Sequence, residues 1–284
     1  RPADASQTYA RSLEIYEELD GPNASSVAIL CANMAQTEIR LGRTGVALDL
    51  LTRAVDIHRA LDQLDSRAGL VCLLVMSDLC PPMQALEYME EAMDIAEKVL
   101  EPDDSIWPTA LNKYGWGLVQ ARELEAAEPP LRRALEIQTE RYGQESAQVA
   151  DVLNNLSGLM KVRGQTLEAL ELFKQSFAVK RKFTPRNHLS LIIGWNNLAV
   201  LHSDLRQFEE AEEAWRQGLE LCLELLPAEH EDTARLLTNY GTMLYEVQRF
   251  EESEAMLRDA VDMRRSLLGN HPSTGSSESS LAQK

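Results

Sequence analysis

Apolar residues recur along this chain at the three- and four-residue spacing of amphipathic helices, and the predicted helices come in pairs. One helix carries Leu153, Leu156 and Met160, and after a glycine-containing break a second helix carries Ala169 and Phe173. Small residues lie where the two backbones must approach closely, and bulky residues fill the gaps between them. The pattern predicts two short helices joined by a tight turn.

The helix pair recurs with a constant period. Asn155 is followed by Asn197 and Asn239, each 42 residues after the last, and Ala169 is followed by Ala211 at the same interval. A period that is kept to the residue through three units indicates a helical solenoid, in which each pair buries its apolar face on its neighbours.

These residues resemble the tetratricopeptide repeat, whose helix pair carries large and small residues in a fixed order. In this sequence the order is Leu153, Leu156, Ser157, Met160, Ala169, Phe173 and Ser176. The period and the long acidic links, such as 225–234, resemble the kinesin light chain variety of the repeat. The resemblance implies an all-α, right-handed superhelical solenoid of antiparallel helix pairs that binds proteins or peptides. It does not name the partner.

We expect the array to extend over residues 1–269. The predicted segments are a half-repeat at 4–19 and units at about 24–62, 66–99, 104–142, 145–182, 187–226 and 229–268. Residues 270–284 are rich in serine and low in hydrophobicity, which predicts a flexible tail.

The second unit departs from the period. Its second helix aligns through Ala85, which lies 38 residues after Ala47, four fewer than the period. We expect the missing residues to come from the link near 62–67. Its first helix is almost wholly apolar over 69–76, so this helix is either deeply buried or part of a binding surface.

Composition limits the classes of partner. The 284 residues include 45 acidic and 28 basic ones, which gives a net charge of −17. This charge argues against a nucleic-acid partner, whose phosphates need a basic surface. It suits a basic protein partner, or it serves as a solvated outer surface that keeps a long array soluble. No apolar run reaches the roughly 20 residues of a membrane helix, so we expect no membrane insertion.

The cysteines bear on the compartment. Four cysteines form no close paired motif, and Cys31 and Cys72 fall at apolar helix positions, where they are predicted to be small core residues. This usage favours a reducing compartment, and we expect a cytoplasmic protein. The chain starts at Arg1 without a methionine, which suggests a processed or truncated start and leaves an organelle lumen as the alternative.

Catalytic motifs are not found in the sequence. The five histidines are scattered, and His202 falls on a packing position of its helix. No two-histidine zinc motif, CxxC pair, phosphate-binding glycine loop or serine elbow is present. Paired glutamates occur at second-helix starts, where they favour the helix dipole. We therefore expect no enzyme activity, no cofactor and no metal.

One polar position recurs along the first helices and forms a candidate ladder. Its members are Asn33, Lys113, Asn155, Asn197 and Asn239, with Val71 in the second unit. The position is next to a packing residue and is expected to face the inner curve of the solenoid. An amide both donates and accepts hydrogen bonds, so it can hold an extended peptide backbone, as the resemblance also implies. The alternative is that each amide bonds to the backbone of a neighbouring repeat.

The sequence thus predicts a non-catalytic adaptor or scaffold that binds an extended peptide or a partner protein in a concave groove. One alternative is a structural or assembly subunit of a large complex. Another is the recognition arm of a longer enzyme or signalling protein.

Overall fold

The computed structural model describes residues 2–185 and 188–269, and every regular element in those ranges is an α-helix. The chain divides after Gly143 into two compact units. Unit 1 contains α1 (Pro2–Asp20), α2 (Ser25–Arg40), α3 (Thr44–Ala60), α4 (Arg67–Met76), α5 (Pro82–Val99), α6 (Trp107–Gln120) and α7 (Leu124–Tyr142). Unit 2 contains α8 (Ala147–Val162), α9 (Thr166–Phe183), α10 (Ser190–Asp204), α11 (Phe208–Leu225), α12 (Glu231–Glu246) and α13 (Phe250–Gly269). The tail predicted at 270–284 lies outside the described residues.

The helices form antiparallel pairs in both units. Each even-numbered helix from α2 to α12 is the first helix of a pair, and the next helix in the chain is the second. The two helices of a pair make more extensive contacts with each other than with other helices, except in the pair of α4 and α5. Helix α1 packs against α2, as a second helix would. Neighbouring pairs within a unit touch mainly through a second helix and the following first helix.

A three-residue turn with one fixed conformation joins the helices of five pairs. Its middle residue has a left-handed φ between 58° and 79° and is Gly42, Arg122, Gly164, Arg206 or Gln248. The N–H of the next residue donates to the carbonyl oxygen five positions earlier, at 2.9 Å in all five turns. This is the hydrogen bond that closes a helix with a left-handed residue after its end. A repeated turn therefore sets the angle between the two helices of these five pairs.

Small residues lie where the two helices of a pair cross. Ala35 and Ala47 are both fully buried in the first full pair. At the equivalent positions of α8 and α9, the Ser157 hydroxyl donates to the Ala169 carbonyl oxygen at 2.8 Å. These contacts need short side chains, because a larger group would push the helix backbones apart.

Helix α4 is the apolar first helix of the second pair, and the structure shows that it is buried. Leu70, Cys72, Leu73 and Met76 are all at most 2% exposed. The helix has 10 residues, whereas the other first helices have 14 to 16. The link before it, 61–66, is as long as the link 184–189 before α10. The prediction that the link is shortened is therefore wrong, because α4 itself lacks about one turn.

Candidate functional site

All five predicted ladder residues lie on first helices. Asn33 is on α2, Lys113 on α6, Asn155 on α8, Asn197 on α10 and Asn239 on α12. Their surroundings differ, and the differences separate residues that are open to a ligand from residues that already have a partner.

Two of the amides are open to solvent, one in each unit. Asn33 and Asn197 are exposed, and within residues 2–185 and 188–269 neither side chain has a hydrogen-bond partner. One helical turn earlier lie Ile29 and Ile193, which are 49% and 46% exposed. Residues four apart are neighbours on a helix surface. Each unit therefore presents an exposed amide beside an exposed isoleucine, which we call the Ile–Asn pair.

Asn239 instead takes part in a network between helices. Its Nδ2 donates to Asn196 Oδ1 at 2.9 Å, and Trp215 Nε1 donates to the same oxygen at 3.3 Å. Asn196 is only 5% exposed, so its oxygen needs donors from the protein. The amide of Asn239 thus links α12 to α10, through a side chain rather than the backbone that the alternative interpretation names.

The remaining two ladder residues are partly engaged. Asn155 is half-buried, and its Oδ1 lies 3.5 Å from Asn154 Nδ2. Lys113 forms an ion pair with Asp78, across from α6 to the turn that follows α4. A ligand at either position must compete with an existing contact.

The first-helix surface of unit 2 also carries charge. Lys161 Nζ lies 3.3 Å from Asp204 Oδ2, which joins the C-terminal ends of α8 and α10. The equivalent end of α12 bears Glu246, which is exposed and forms no ion pair with any described residue. Acidic groups thus lie near the C-terminal ends of two successive first helices.

A second network in unit 2 has no recognisable sequence signal. The Tyr240 hydroxyl donates to Glu212 Oε1 at 2.5 Å, and Arg249 Nη1 donates to Glu212 Oε2 at 2.7 Å. The hydrogen bond from Arg249 holds the pKa of Glu212 below its ordinary value. Burial, together with the neighbouring carboxylate, raises the pKa of Tyr240. The network joins α11, α12 and the turn before α13, so we assign it to packing.

Several histidines and cysteines lie in the core. His202 is buried, as its packing position predicts, and its Nδ1 lies 2.6 Å from Gln207 Oε1. Cys31 and Cys72 are buried, which confirms that prediction, and all four cysteines are free thiols. Within residues 2–185 and 188–269, no cluster of three or more potential ligand residues could hold a metal ion. None of the helices described there is long and apolar enough to cross a membrane.

Comparison with known proteins gives the same fold. The family model of the tetratricopeptide repeat matches residues 1–60 and 190–266. No curated protein sequence matches the chain.

Three solved structures illustrate the likeness. A candidate kinesin light chain of Podosopora anserina with nearly identical TPR-like repeats is 18% identical, with a TM-score of 0.59 over 71% of this chain and 95% of that one. BtubC (BKLC) from P. vanneervenii is 16% identical, with a TM-score of 0.59 over 96% and 94%. A Rap protein complexed with Competence and Sporulation Factor is 14% identical, with a TM-score of 0.61 over 90% and 80%.

At these identities the solved structures inform on the fold alone, and they agree with the helix pairs described above. The predicted all-α solenoid is confirmed, and the repeat pattern, the family match and the fold lead to one assignment. The chain has the all-α solenoid fold of tetratricopeptide repeats, two stretches of it match the family model, and it is similar in fold to repeat proteins of the kinesin light chain kind.

Proposed function

We propose that this protein is a non-catalytic adaptor or scaffold that binds an extended peptide, or an extended segment of a partner protein, on its first-helix surface. The observation that carries the proposal is the Ile–Asn pair on α2 and α10. In each pair a solvent-exposed amide that has no hydrogen-bond partner among the described residues lies one turn from an exposed isoleucine.

The two side chains offer complementary contacts to a peptide. The amide of Asn33 or Asn197 can donate to a peptide carbonyl and accept from a peptide N–H, whatever the peptide sequence. Ile29 or Ile193 can cover an apolar side chain of the same peptide. Each amide hydrogen bond would contribute about 0.5–1.5 kcal/mol to binding. The amide thus holds the backbone, and the isoleucine selects the side chain.

Asn155, Lys113 and Asn239 are secondary contacts in this proposal. Their present partners must be released or shared before they bind a ligand, so each should contribute less than Asn33 or Asn197. Asn239 retains its oxygen as an acceptor while its Nδ2 donates to Asn196.

Charge supports a basic partner and disfavours nucleic acid. The net charge is −17, and the exposed Glu246 on the first-helix surface would attract a lysine or arginine. The fold also supports a binding role, since the Rap protein of the same fold is known in complex with Competence and Sporulation Factor. The four free thiols suit a reducing compartment, which supports a cytoplasmic location as part of this proposal.

The test uses a displayed library of random 12-residue peptides as the probe. Peptides selected on the wild-type protein are synthesised, and their affinities are measured by calorimetry for wild type, Asn33→Ala and Asn197→Ala. Asn23→Ala is the matched control, because Asn23 is exposed but lies in the link between α1 and α2. We expect at least one of the two ladder variants to bind roughly three- to tenfold more weakly, with an unchanged melting temperature.

Two outcomes would contradict the proposal. Equal affinities for all four proteins would show that the amides do not hold the peptide. Failure to select any peptide, together with stoichiometric co-purification with other proteins, would favour the structural-subunit alternative.

A further inference from the structure

Unit 2 contains a polar cavity between α9, α10 and α11. Its volume is about 440 Å³, which is within the range of small-molecule sites. Helix α9 contributes Arg181 to its lining, α10 contributes Trp195, and α11 contributes Gln217, Glu220 and Glu224. Because charges of both signs line it, we call it the mixed-charge cavity.

The positive charge of this cavity is stacked on aromatic rings. Arg181 Cζ lies 4.8 Å from the ring centroid of Trp195 and 5.9 Å from that of Phe177. Within the described parts of the chain, Arg181 forms no ion pair. Stacking uses the face of the guanidinium, whereas its N–H groups point outwards in its plane. Arg181 can therefore bind a carboxylate without leaving the rings.

The two lysines next to Arg181 in the sequence are engaged differently. Lys180 Nζ lies 3.1 Å from Asp151 Oδ1 on α8. Lys182 pairs with Glu145, in the link before α8. Both flanking cations of the last turn of α9 thus have a carboxylate partner within the protein, and the cation that faces the cavity has none among the described residues.

The repeat itself does not require the stacked arginine. One period of 42 residues later, the positions of Arg181 and Trp195 are occupied by Leu223 and Leu237. The guanidinium over the indole is therefore a feature of this part of the array and not of the packing pattern that the repeats share.

The negative charges of the cavity lie on one face of α11. Glu220 and Glu224 are four residues apart, so their side chains are neighbours and repel each other. Both are exposed, and neither forms an ion pair or a hydrogen bond with any described residue. Gln217 Nε2 donates to Glu213 Oε1 at 3.1 Å, which leaves its amide oxygen available as an acceptor. This side of the cavity thus suits ammonium groups.

We propose that the mixed-charge cavity binds a basic α-amino acid of the lysine kind, with its carboxylate on Arg181 and its ammonium groups on Glu220 and Glu224. A ligand with both charges satisfies both sides of the cavity, whereas a simple anion or cation is repelled by one of them. Lysine has one carboxylate and two ammonium groups, which match one guanidinium and two carboxylates charge for charge.

The cavity is separate from the first-helix surface. Trp195 and Asn197 are two residues apart on α10, so their side chains point in directions that differ by about 200° around the helix axis. Binding in the cavity therefore does not depend on the Ile–Asn pair, and its test is independent of the peptide test.

Titration of the full chain with three small probes, followed by NMR at the Trp195 indole N–H, tests the proposal. The probes are L-lysine, cadaverine, which lacks the carboxylate, and L-norleucine, which lacks the side-chain ammonium. We expect L-lysine to shift this resonance in a saturable way. Each analogue should bind roughly tenfold more weakly, because it loses a charge-assisted hydrogen bond.

Charge-removing variants assign each side of the cavity. Arg181→Gln should weaken the binding of L-lysine about tenfold without weakening that of cadaverine, whereas Glu224→Gln should weaken both. Lys174→Gln and Glu210→Gln are the matched controls, because they remove the same charges at exposed positions about two turns before Arg181 and about four turns before Glu224. Both controls should bind L-lysine as wild type does, and circular dichroism checks that every variant is folded.

Three outcomes would overturn the proposal. The first is the absence of a saturable shift with L-lysine in the wild-type protein. The second is equal affinity for L-lysine and cadaverine, because the cavity would then be a site for cations alone. The third is an equal effect of the control variants, because binding would then follow net charge and not the cavity.

Discussion

In unit 1 the first and second helices meet through alanines, whereas in unit 2 serines occupy several of the same positions. Ala54 of α3 is fully buried in unit 1. At its equivalent in unit 2, the Ser176 hydroxyl donates to the Ala150 carbonyl oxygen of α8 at 2.6 Å. Further along, the Ser253 hydroxyl donates to the Gly241 carbonyl oxygen at 2.7 Å. The same close approach is thus fixed by shape alone in one unit and by shape with a directional bond in the other.

The cores of the two units differ in the same way, with directional contacts in unit 2 and mainly non-directional ones in the part of unit 1 around α3 and α4. The buried side chains of α3 and α4 in unit 1 are mainly aliphatic or sulfur-containing, such as Leu51, Leu73 and Met76. Unit 2 adds oriented aromatic contacts, in which Phe177 meets Trp195 edge to face at 5.0 Å. Non-directional packing tolerates irregular pairs, and the short helix α4 is in unit 1. Directional contacts fix one register, and the most regular repeats are in unit 2.

The largest effect is expected at Trp215 in unit 2. Trp215→Ala removes a fully buried ring and its hydrogen bond to Asn196, and should lower the free energy of unfolding by about 3–5 kcal/mol. Trp215→Phe keeps most of the ring and separates the packing contribution from the hydrogen bond. Denaturant titration measures both variants. If Trp215→Phe lost as much stability as Trp215→Ala, the hydrogen bond rather than the ring would dominate.

A smaller effect should separate the two ways of joining a helix pair. Ser176→Ala removes the hydroxyl donor but leaves the Ala150 carbonyl in its helix, so we expect a loss of about 0.5–1.5 kcal/mol. The reciprocal change, Ala54→Ser in unit 1, should be tolerated, because the Ala28 carbonyl lies at the position equivalent to Ala150. Thermal unfolding of both variants gives the comparison. A neutral Ser176→Ala would show that the serines of unit 2 add nothing beyond their size.

The smallest effect concerns pH and belongs to unit 1. His58 is 2% exposed, and within the described residues neither ring nitrogen has a hydrogen-bond partner. Burial lowers the pKa of His58 from its ordinary value of 6.5. As the pH falls below that value, the unfolded chain binds a proton that the folded chain does not, so stability decreases.

His58→Leu should reduce this decrease, which is measured as the free energy of unfolding between about pH 5 and 8. His188→Gln, at an exposed histidine, is the control. Parallel curves for wild type and His58→Leu would contradict the assignment.

The sequence was sufficient to predict helix pairs and their register, because the signals are local. Apolar spacing and the small residues at Ala35, Ser157 and Gly241 are visible within one repeat. The state of each ladder residue was not predictable in this way. Asn239 and Asn197 occupy the same repeat position, but only Asn239 lies within reach of the buried oxygen of Asn196. That contact depends on which side chain the neighbouring helix happens to place there.

The length of helix α4 was also not predictable from the sequence. The four-residue deficit between Ala47 and Ala85 was evident in the sequence. Whether the helix or the link is shorter depends on which residue caps the start of the helix. Ser66 decides this, because its side chain accepts from the Gly69 N–H and starts the helix late.

The three-residue turn has a consequence for how such a protein can change over time. Since five pairs close through the same left-handed residue and hydrogen bond, insertions there would rotate one helix against the other. The links between pairs share no single turn, although Asp62 in the link 61–66 has the same left-handed conformation, and they range from four residues at 143–146 to seven at 100–106. Insertions and deletions are thus better tolerated in the links than in the turns within pairs, and each first helix keeps its orientation relative to its second helix. A mutation at Asn33 or Asn197 then alters one contact point without displacing the others, so binding specificity can change through single substitutions.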